Sequence, residues 1–212
     1  MKSPLTALIG AAELLDENMP PQERAAFTAS IREQSAHLKD MMDKLLALAT
    51  LEHRSGLEEA VNVNLGELAD KVIADHAIRM KQRNLTCQAQ LAPHAHTLGE
   101  PFLLRQALAN LLDNAIDFSP DGGTIVITLE TAAGLNTLTV HDQGPGIPGY
   151  ALPRVFERFY SLARPGTQRK STGLGLPFVK EVAALHGGNA ALENSPQGGA
   201  QARLILPASS QG

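Results

Sequence analysis

The 212-residue chain has no tryptophan and only one cysteine, Cys87. A single cysteine cannot form an internal disulfide, which is typical of a reducing compartment or of a fold that needs no covalent cross-link. Aromatic residues make up only 4% of the sequence. No apolar run is long enough to cross a bilayer, and the first residues, Met1, Lys2, Ser3 and Pro4, lack the apolar centre of a signal peptide. These absences predict a cytoplasmic chain with no membrane contact of its own.

The sequence also lacks an excess of positive charge. Lysine and arginine number 18 against 22 aspartates and glutamates, so the formal net charge is −4. This balance is not that of a duplex-binding protein, and we expect no nucleic-acid partner. Hydrophobic residues make up 43% and charged residues 19%, which excludes wholesale disorder. At about 150 residues per domain, the length predicts one or two domains.

The first part of the chain has the spacing of two amphipathic helices. The first helix must end at Pro20 and Pro21, because proline has no N–H to donate and its ring clashes with the preceding turn. The second helix begins at Glu23 and is ended by Gly56. The first apolar stripe is Leu5, Leu8, Ala12, Leu15 and Met19, and the second is Phe27, Ile31, Gln34, Leu38, Met41, Leu45 and Leu48.

The short connection between these helices predicts an antiparallel hairpin. Its helices are unequal, because the second covers about 30 residues and the first about 15. We therefore expect the first helix to continue upstream of Met1, and two hairpins to form a four-helix bundle in a homodimer. The alternative is a hairpin that folds back on its own globular domain.

The rest of the chain has the pattern of an α/β two-layer sandwich, with three helices against one sheet of five or more strands. The expected domains are thus a dimerisation hairpin, 1–56, and a second domain, 57–212. The predicted strands are 60–65, 85–91, 124–130, 136–141, 190–193 and 200–206, and the predicted helices are 65–81, 101–118 and 176–186.

Two asparagines in the predicted helix 101–118 suggest a metal site. Asn110 and Asn114 are four residues apart, so their amides project from one helix face. Amide oxygens can complete the coordination of a magnesium ion that phosphates and water mainly hold.

Glycine-rich segments suggest a ligand site beside them. The segment 142–148 follows a strand, and its glycines let the backbone approach a flat ligand while Asp142 accepts from an exocyclic amine. The segment 173–176 opens a helix, where free N–H groups and the helix dipole favour phosphate. Between them, residues 144–172 lack a clear period and contain Arg164, Arg169 and Lys170, so we interpret them as a lid. Three of the chain's eight Phe and Tyr residues lie within 155–160.

Taken together, these segments resemble a known family. The segments 110–119, 142–148, 156–159 and 173–176 resemble, in this order, the N, G1, F and G2 boxes of the ATP-binding domain of sensor histidine kinases, which has the Bergerat fold. Residues 1–6 resemble the end of the family's H box, and residues 10–15 and 156–162 are similar to CreC-type kinases. The resemblance implies an α+β chain: an N-terminal helical hairpin, half of a dimeric bundle, followed by the ATP-binding sandwich.

The resemblance also implies ATP and Mg2+ as cofactors and a role for each matched residue. Asn114, helped by Asn110, would coordinate magnesium, and Asp142 would accept from the adenine amine. Phe118 and Ile147 would line the base pocket. The remaining nucleotide-binding positions are Gly144, Gly146, Gly173, Leu174, Gly175 and Leu176, with Arg164, Arg169 and Lys170 on the phosphates.

The implied reaction moves the γ-phosphoryl group of ATP to a histidine on the bundle, and then to an aspartate of a response-regulator receiver domain. The family's phosphoacceptor histidine would lie two residues before Met1, so we expect this chain not to phosphorylate itself. The whole protein would be anchored in the inner membrane. Two further departures are Asp117, where the family often has a cation that reaches phosphate, and Ser3, where it often has a residue that orients a hydrolytic water.

Two other functions stay open on the sequence. An ATPase that hydrolyses its nucleotide would have a glutamate where this chain has Asn110, because an amide cannot take a proton from water. A dimerisation and docking module, or a response-regulator phosphatase without kinase activity, is the other alternative, and Asp117 is the residue that favours a non-kinase role.

Overall fold

The structure is a computed structural model that describes residues 9–10, 20–164 and 171–209. It divides into two compact units, residues 1–49 and residues 50–212. The predicted first helix, 5–19, lies outside the described residues except for Ile9 and Gly10, which are helical. No helix in the described ranges is both long enough and apolar enough to span a membrane.

The first unit consists mainly of one long helix. Helix α1 spans Pro21–Glu52, which is about 48 Å at 1.5 Å per residue, and its last turn belongs to the second unit. It begins two residues earlier than predicted, because a proline is tolerated in the first turn of a helix. Phe27, Ile31 and Leu38 of the predicted stripe are half-buried, whereas the ion pair between Lys39 and Asp43 is exposed. The predicted helical N-terminal region is therefore confirmed.

The second unit is built on a five-stranded sheet. Its strands are β2 (Thr86–Leu91), β4 (Thr124–Ala132), β5 (Leu135–His141), β6 (Asn189–Asn194) and β7 (Ala200–Pro207), and the helices are α2 (Leu65–Gln82), α3 (Pro101–Phe118) and α4 (Gly175–Leu185). The strands lie in the order β2-β4-β5-β7-β6, in which β2 and β4 are parallel and the other neighbours are antiparallel. The predicted α/β sandwich is confirmed.

Helix α3 forms the centre of the hydrophobic core. Its apolar residues recur every three or four positions, so they form one buried face, and alternate residues of the strands are buried as well. The sheet therefore has one covered face, which is the arrangement of a two-layer domain. The buried residues are Leu104, Ala107, Leu108, Leu111, Leu112, Ala115 and Ile116 of α3, with Ile125, Ile127, Leu129, Leu138, Val140, Leu204 and Leu206 of the sheet.

A separate two-stranded sheet was not expected from the sequence. Strand β1 (Val61–Asn64) pairs antiparallel with β3 (His96–Gly99), so β1 does not join the main sheet. The predicted strands did not include residues 96–99. Strand β3 has only four residues between two prolines, Pro93 and Pro101, which is too short a run for its alternation to be recognised.

Core packing around α3 can be tested with a pair of identical substitutions. Ile116 in α3 is fully buried, whereas Ile78 in α2 is 75% exposed. Ile116→Ala should lower the free energy of unfolding by about 2–5 kcal/mol, because it removes buried apolar surface and leaves a cavity. Ile78→Ala changes the same side chain in a helix without leaving a cavity, and should change the stability by less than about 0.5 kcal/mol. Denaturant unfolding measures both, and equal losses would contradict this packing.

Candidate functional site

A pocket opens between α3, the end of β5 and the beginning of α4. Its volume is about 850 Å³, including the part that is open to solvent. Of the predicted site residues, the structure brings together Asn114, Phe118, Asp142, Gly146, Ile147, Gly173, Gly175 and Leu176. The other lining residues are Leu111, Ala115, Val140, Val155, Tyr160, Ser161, Leu162, Ser171, Pro177, Leu192, Ala200 and Ala202.

Asp142 is the buried acidic group of this pocket. It follows the last residue of β5 and is only 7% exposed. Its Oδ1 accepts hydrogen bonds from the N–H groups of Gly144, at 2.7 Å, and Ala200, at 3.2 Å. Burial raises the pKa of the Asp142 carboxyl, and these two bonds oppose that rise. Both bonds reach Oδ1, so Oδ2 is available to a ligand.

Glycines allow the backbone to close tightly around Asp142. A Cβ atom on Gly144 would lie 2.6 Å from the carbonyl oxygen of Phe118. At Gly199 it would lie 1.8 Å from the carbonyl oxygen of Asp142, and the φ of Gly199 is +78°. Neither position has room for a side chain, so glycine is required there. Gly144 thus supports the carboxylate through its N–H group and does not line the pocket.

Asn194 holds the loop after Asp142 in place. Its Oδ1 accepts from the N–H of Ile147 at 2.6 Å, and its Nδ2 donates to the carbonyl of Ile147 at 2.8 Å. Gly146, with a φ of +75°, lies against the same amide, where a Cβ atom would be 2.9 Å from Oδ1. Asn194 was not among the predicted site residues, since an asparagine before Ser195 and Pro196 has only the local signal of a turn.

The two asparagines of α3 occupy different places at the site. Asn114 lines the pocket. Asn110, one turn earlier, is buried and does not line it; a Cβ atom on Gly175 would lie 3.4 Å from Asn110 Oδ1. The first turn of α4 therefore lies directly beside the amide of Asn110, at van der Waals distance.

Helix α4 begins at the pocket with no side-chain cap. Its N-cap residue, Leu174, is buried and makes no capping hydrogen bond. The first N–H groups of the helix, at Gly175 and Leu176, therefore remain available to an anion. Gly173, with a φ of +68°, packs against Phe159, whose N–H donates to the Gly173 carbonyl at 3.0 Å. This hydrogen bond joins the segment 155–160 to the residues that precede α4.

The segment 155–160, which is rich in aromatic residues, lines the pocket with residues other than its two phenylalanines. Phe159 is exposed, with a φ of +61°, whereas Val155 and Tyr160 line the pocket. The guanidinium of Arg154 stacks over the Tyr160 ring, 4.4 Å from its centroid.

One of the three predicted cations is within the described residues. Arg164 forms an ion pair with Asp117 of α3, with 2.5 Å between Nη2 and Oδ2. Arg169, Lys170 and Ser3 lie outside the described residues.

The role of Asn194 can be tested without any ligand. Asn194→Ala leaves the N–H of Ile147 without its acceptor, so amide hydrogen exchange at Ile147 should become faster and the loop should lose about 1 kcal/mol of local stability. Asn189→Ala, at the other end of β6, is the matched control and should leave Ile147 unchanged. Unchanged exchange at Ile147 in Asn194→Ala would show that the side chain does not hold the loop.

Two family models match this chain. Residues 99–210 match the family described as histidine kinase-, DNA gyrase B- and HSP90-like ATPase. Residues 1–54 match the His Kinase A (phospho-acceptor) domain. The chain is 44% identical over 206 residues to the sensor protein CreC of Escherichia coli (strain K12), with 97% of this chain and 43% of CreC covered. It thus spans less than half the length of that relative.

Solved structures share the fold over nearly the whole chain. Full-length ShkA in complex with AMPPNP matches with a TM-score of 0.77 and 24% identity, covering 100% of this chain and 44% of ShkA. ThkA in complex with the response regulator TrrA matches with a TM-score of 0.74 and 21% identity, covering 98% of this chain and 58% of ThkA. At these identities the structures support the fold alone. The two family matches and the 44% identity to CreC show that the chain belongs to the sensor histidine kinase family, with a His Kinase A domain followed by a histidine kinase-type ATPase domain.

Proposed function

We propose that this chain is the cytoplasmic catalytic core of a sensor histidine kinase, binding Mg-ATP for transfer of the γ-phosphoryl group to a histidine of the helical hairpin. The observation on which this proposal depends is that Asp142, Asn114 and the uncapped start of α4 meet at one pocket. A buried acceptor, an amide oxygen and free N–H groups match the base, the metal and the phosphates of one nucleotide.

The base would bind at the Asp142 end of the pocket. An adenine amine is a donor, and Oδ2 of Asp142 is the free acceptor of a carboxylate whose other oxygen is already bonded. Phe118 and Ile147 line the same space and offer apolar surface to a flat ring. Gly146 lies beside this space, in a backbone conformation with positive φ that favours glycine.

The phosphates would bind between Asn114 and the first turn of α4. Free N–H groups at Gly175 and Leu176, after Gly173 and Leu174, suit the charge of a polyphosphate. Asn114, which lines the pocket, would supply a neutral oxygen ligand that fits a magnesium ion held mainly by phosphates and water. Asn110 is buried outside the pocket lining, and its helping role is proposed on the family resemblance. A bound magnesium ion would neutralise charge on the phosphates. Arg169 and Lys170 are proposed as phosphate ligands on the family resemblance alone.

The proposed partners follow from the helical domain. Residues 1–56 would form the hairpin of a homodimeric bundle, and a response-regulator receiver domain would accept the phosphoryl group on an aspartate. The match to the His Kinase A domain supports the first, and the complex of ThkA with TrrA supports the second by analogy. We place the chain in the cytoplasm, as part of a protein anchored in the inner membrane.

We also propose that the 212-residue chain binds nucleotide without phosphorylating itself, because its H-box-like segment, 1–6, contains no histidine. Ser3 would orient water in a phosphatase reaction on the partner. Hydrolysis of ATP as the main activity is disfavoured, because Asn110 occupies the position of a general base and an amide cannot accept the proton.

Magnesium-dependent binding tests the proposed metal ligand. Asn114→Ala removes the amide oxygen from the pocket, so its affinity for AMPPNP in the presence of magnesium should fall at least about tenfold. The affinity for adenosine should stay the same, because the base site is intact. Isothermal titration calorimetry measures both ligands, with Asn189→Ala as the matched control. Unchanged magnesium-dependent affinity in Asn114→Ala would contradict the assignment of this residue.

The pH dependence of binding tests the proposed base site. Burial raises the pKa of Asp142 above its ordinary value of 3.8. The ionised form is the acceptor, so affinity should be full at neutral pH and should decrease as the pH falls through the raised pKa. Asp142→Asn does not titrate and should bind more weakly at neutral pH. The ratio of the parent chain's affinity to that of Asp142→Asn should therefore decrease as the pH falls and become constant in acid. A ratio that does not change with pH would contradict the role of Asp142.

A further inference from the structure

We propose that Asp117 is a positioning residue for nucleotide binding, holding Arg164 so that its guanidinium contacts a phosphate of the nucleotide. This inference rests on the proposed function, and it assigns a role to a carboxylate that would otherwise only repel phosphate. Arg164 is the binding group, and Asp117 acts through it.

The location of the pair supports a role at the pocket. Asp117 lies three residues after Asn114 in α3, so the two side chains are neighbours on the helix surface. Neither Asp117 nor Arg164 lines the pocket itself, but Arg164 follows Ser161 and Leu162, both of which do. The ion pair between Arg164 and Asp117 therefore lies beside the residue proposed to serve the metal-bound phosphates.

Asp117 is held from two sides. Its side chain is only 12% exposed, with Oδ1 bonded to a guanidinium nitrogen of Arg79 and Oδ2 lying 2.5 Å from Nη2 of Arg164. Arg79, on α2, also bonds Asp113, one turn before Asp117 on α3. Burial raises the pKa of the Asp117 carboxyl, and the two arginines oppose that rise. A carboxylate braced in this way gives Arg164 a fixed anchor on α3.

Arg164 keeps hydrogen-bonding capacity for a ligand. Its Nε atom is buried and has no acceptor among the described residues. A buried donor without a partner is unfavourable, so an acceptor is expected when the site is filled. A planar guanidinium has several N–H donors and no acceptor, and phosphate oxygens suit its geometry. The bond to Asp117 engages Nη2, and no other described residue is hydrogen-bonded to the remaining donors, which can therefore serve a ligand.

The charges of the cluster balance without a nucleotide. Arg79 and Arg164 face Asp113 and Asp117, while His76 approaches Asp113 with 3.3 Å between Nε2 and Oδ1. A phosphate would add negative charge next to Asp117. Replacement of Asp117 by a neutral residue should therefore tighten phosphate binding if charge alone decides, and should weaken it if Asp117 positions Arg164.

Titration of the full chain with AMPPNP and with adenosine, in the presence of magnesium, separates these effects. Arg164→Gln should weaken AMPPNP binding about tenfold, because it loses a charge-assisted contact. Asp117→Asn should weaken it about threefold or more, and adenosine affinity should not change in either variant. The double variant should be no weaker than Arg164→Gln, since Asp117 acts through Arg164.

Asp121→Asn is the matched control. Asp121 follows α3, and its exposed carboxylate pairs with Arg83, so this variant should bind both ligands like the parent chain. Equal or tighter AMPPNP binding by Asp117→Asn would overturn the inference, as would an equal loss for adenosine. If Asp117→Asn fails to fold, Arg164→Gln is the deciding variant. Unchanged AMPPNP affinity in Arg164→Gln would overturn the inference, because Asp117 would then have no phosphate-binding side chain to position. A parent chain that bound neither ligand would overturn the proposed function itself.

Discussion

The site is organised around the hydrogen bonds that the buried carboxylate of Asp142 accepts. This carboxylate lies in the interior at the end of β5, where an unpaired charge would be unfavourable, and two backbone N–H groups bond its Oδ1. One comes from the loop after β5 and the other from the first residue of β7, so the carboxylate ties two strands and a loop together. The close approaches at Gly144 and Gly199 are what make this arrangement possible.

Helix α3 contributes side chains both to the hydrophobic core and to the pocket. Its apolar face is buried against the sheet, which determines where the opposite, polar face must point. Asn110, Asn114 and Asp117 follow one another along one side of the helix at intervals of four and three residues, and Asn110 is buried. Packing in the core fixes the orientation of α3, and therefore the positions of the side chains proposed to bind metal and phosphate. The start of α4 lies beside them.

The sequence predicted the features that depend on local periodicity. Helix α3 was predicted at its observed bounds, and residues of both glycine-rich segments line the pocket beside it. Asn194 and the pair of Asp117 with Arg164 could not be predicted, because each contact joins residues about 47 positions apart with no local pattern. The lining by Tyr160 and Leu162 was missed for the same reason. Strand β3 was too short to be recognised.

The most direct test of this account is a nuclear magnetic resonance titration of the isotopically labelled chain with magnesium and AMPPNP. Binding at the described pocket should shift the amide resonances of Gly144, Ile147, Gly175 and Ala200 and the side-chain amide of Asn114. Resonances of exposed α2 residues such as Ile78 should not move. Shifts confined to other parts of the chain, or no shifts at all, would contradict the assignment of this pocket to a nucleotide.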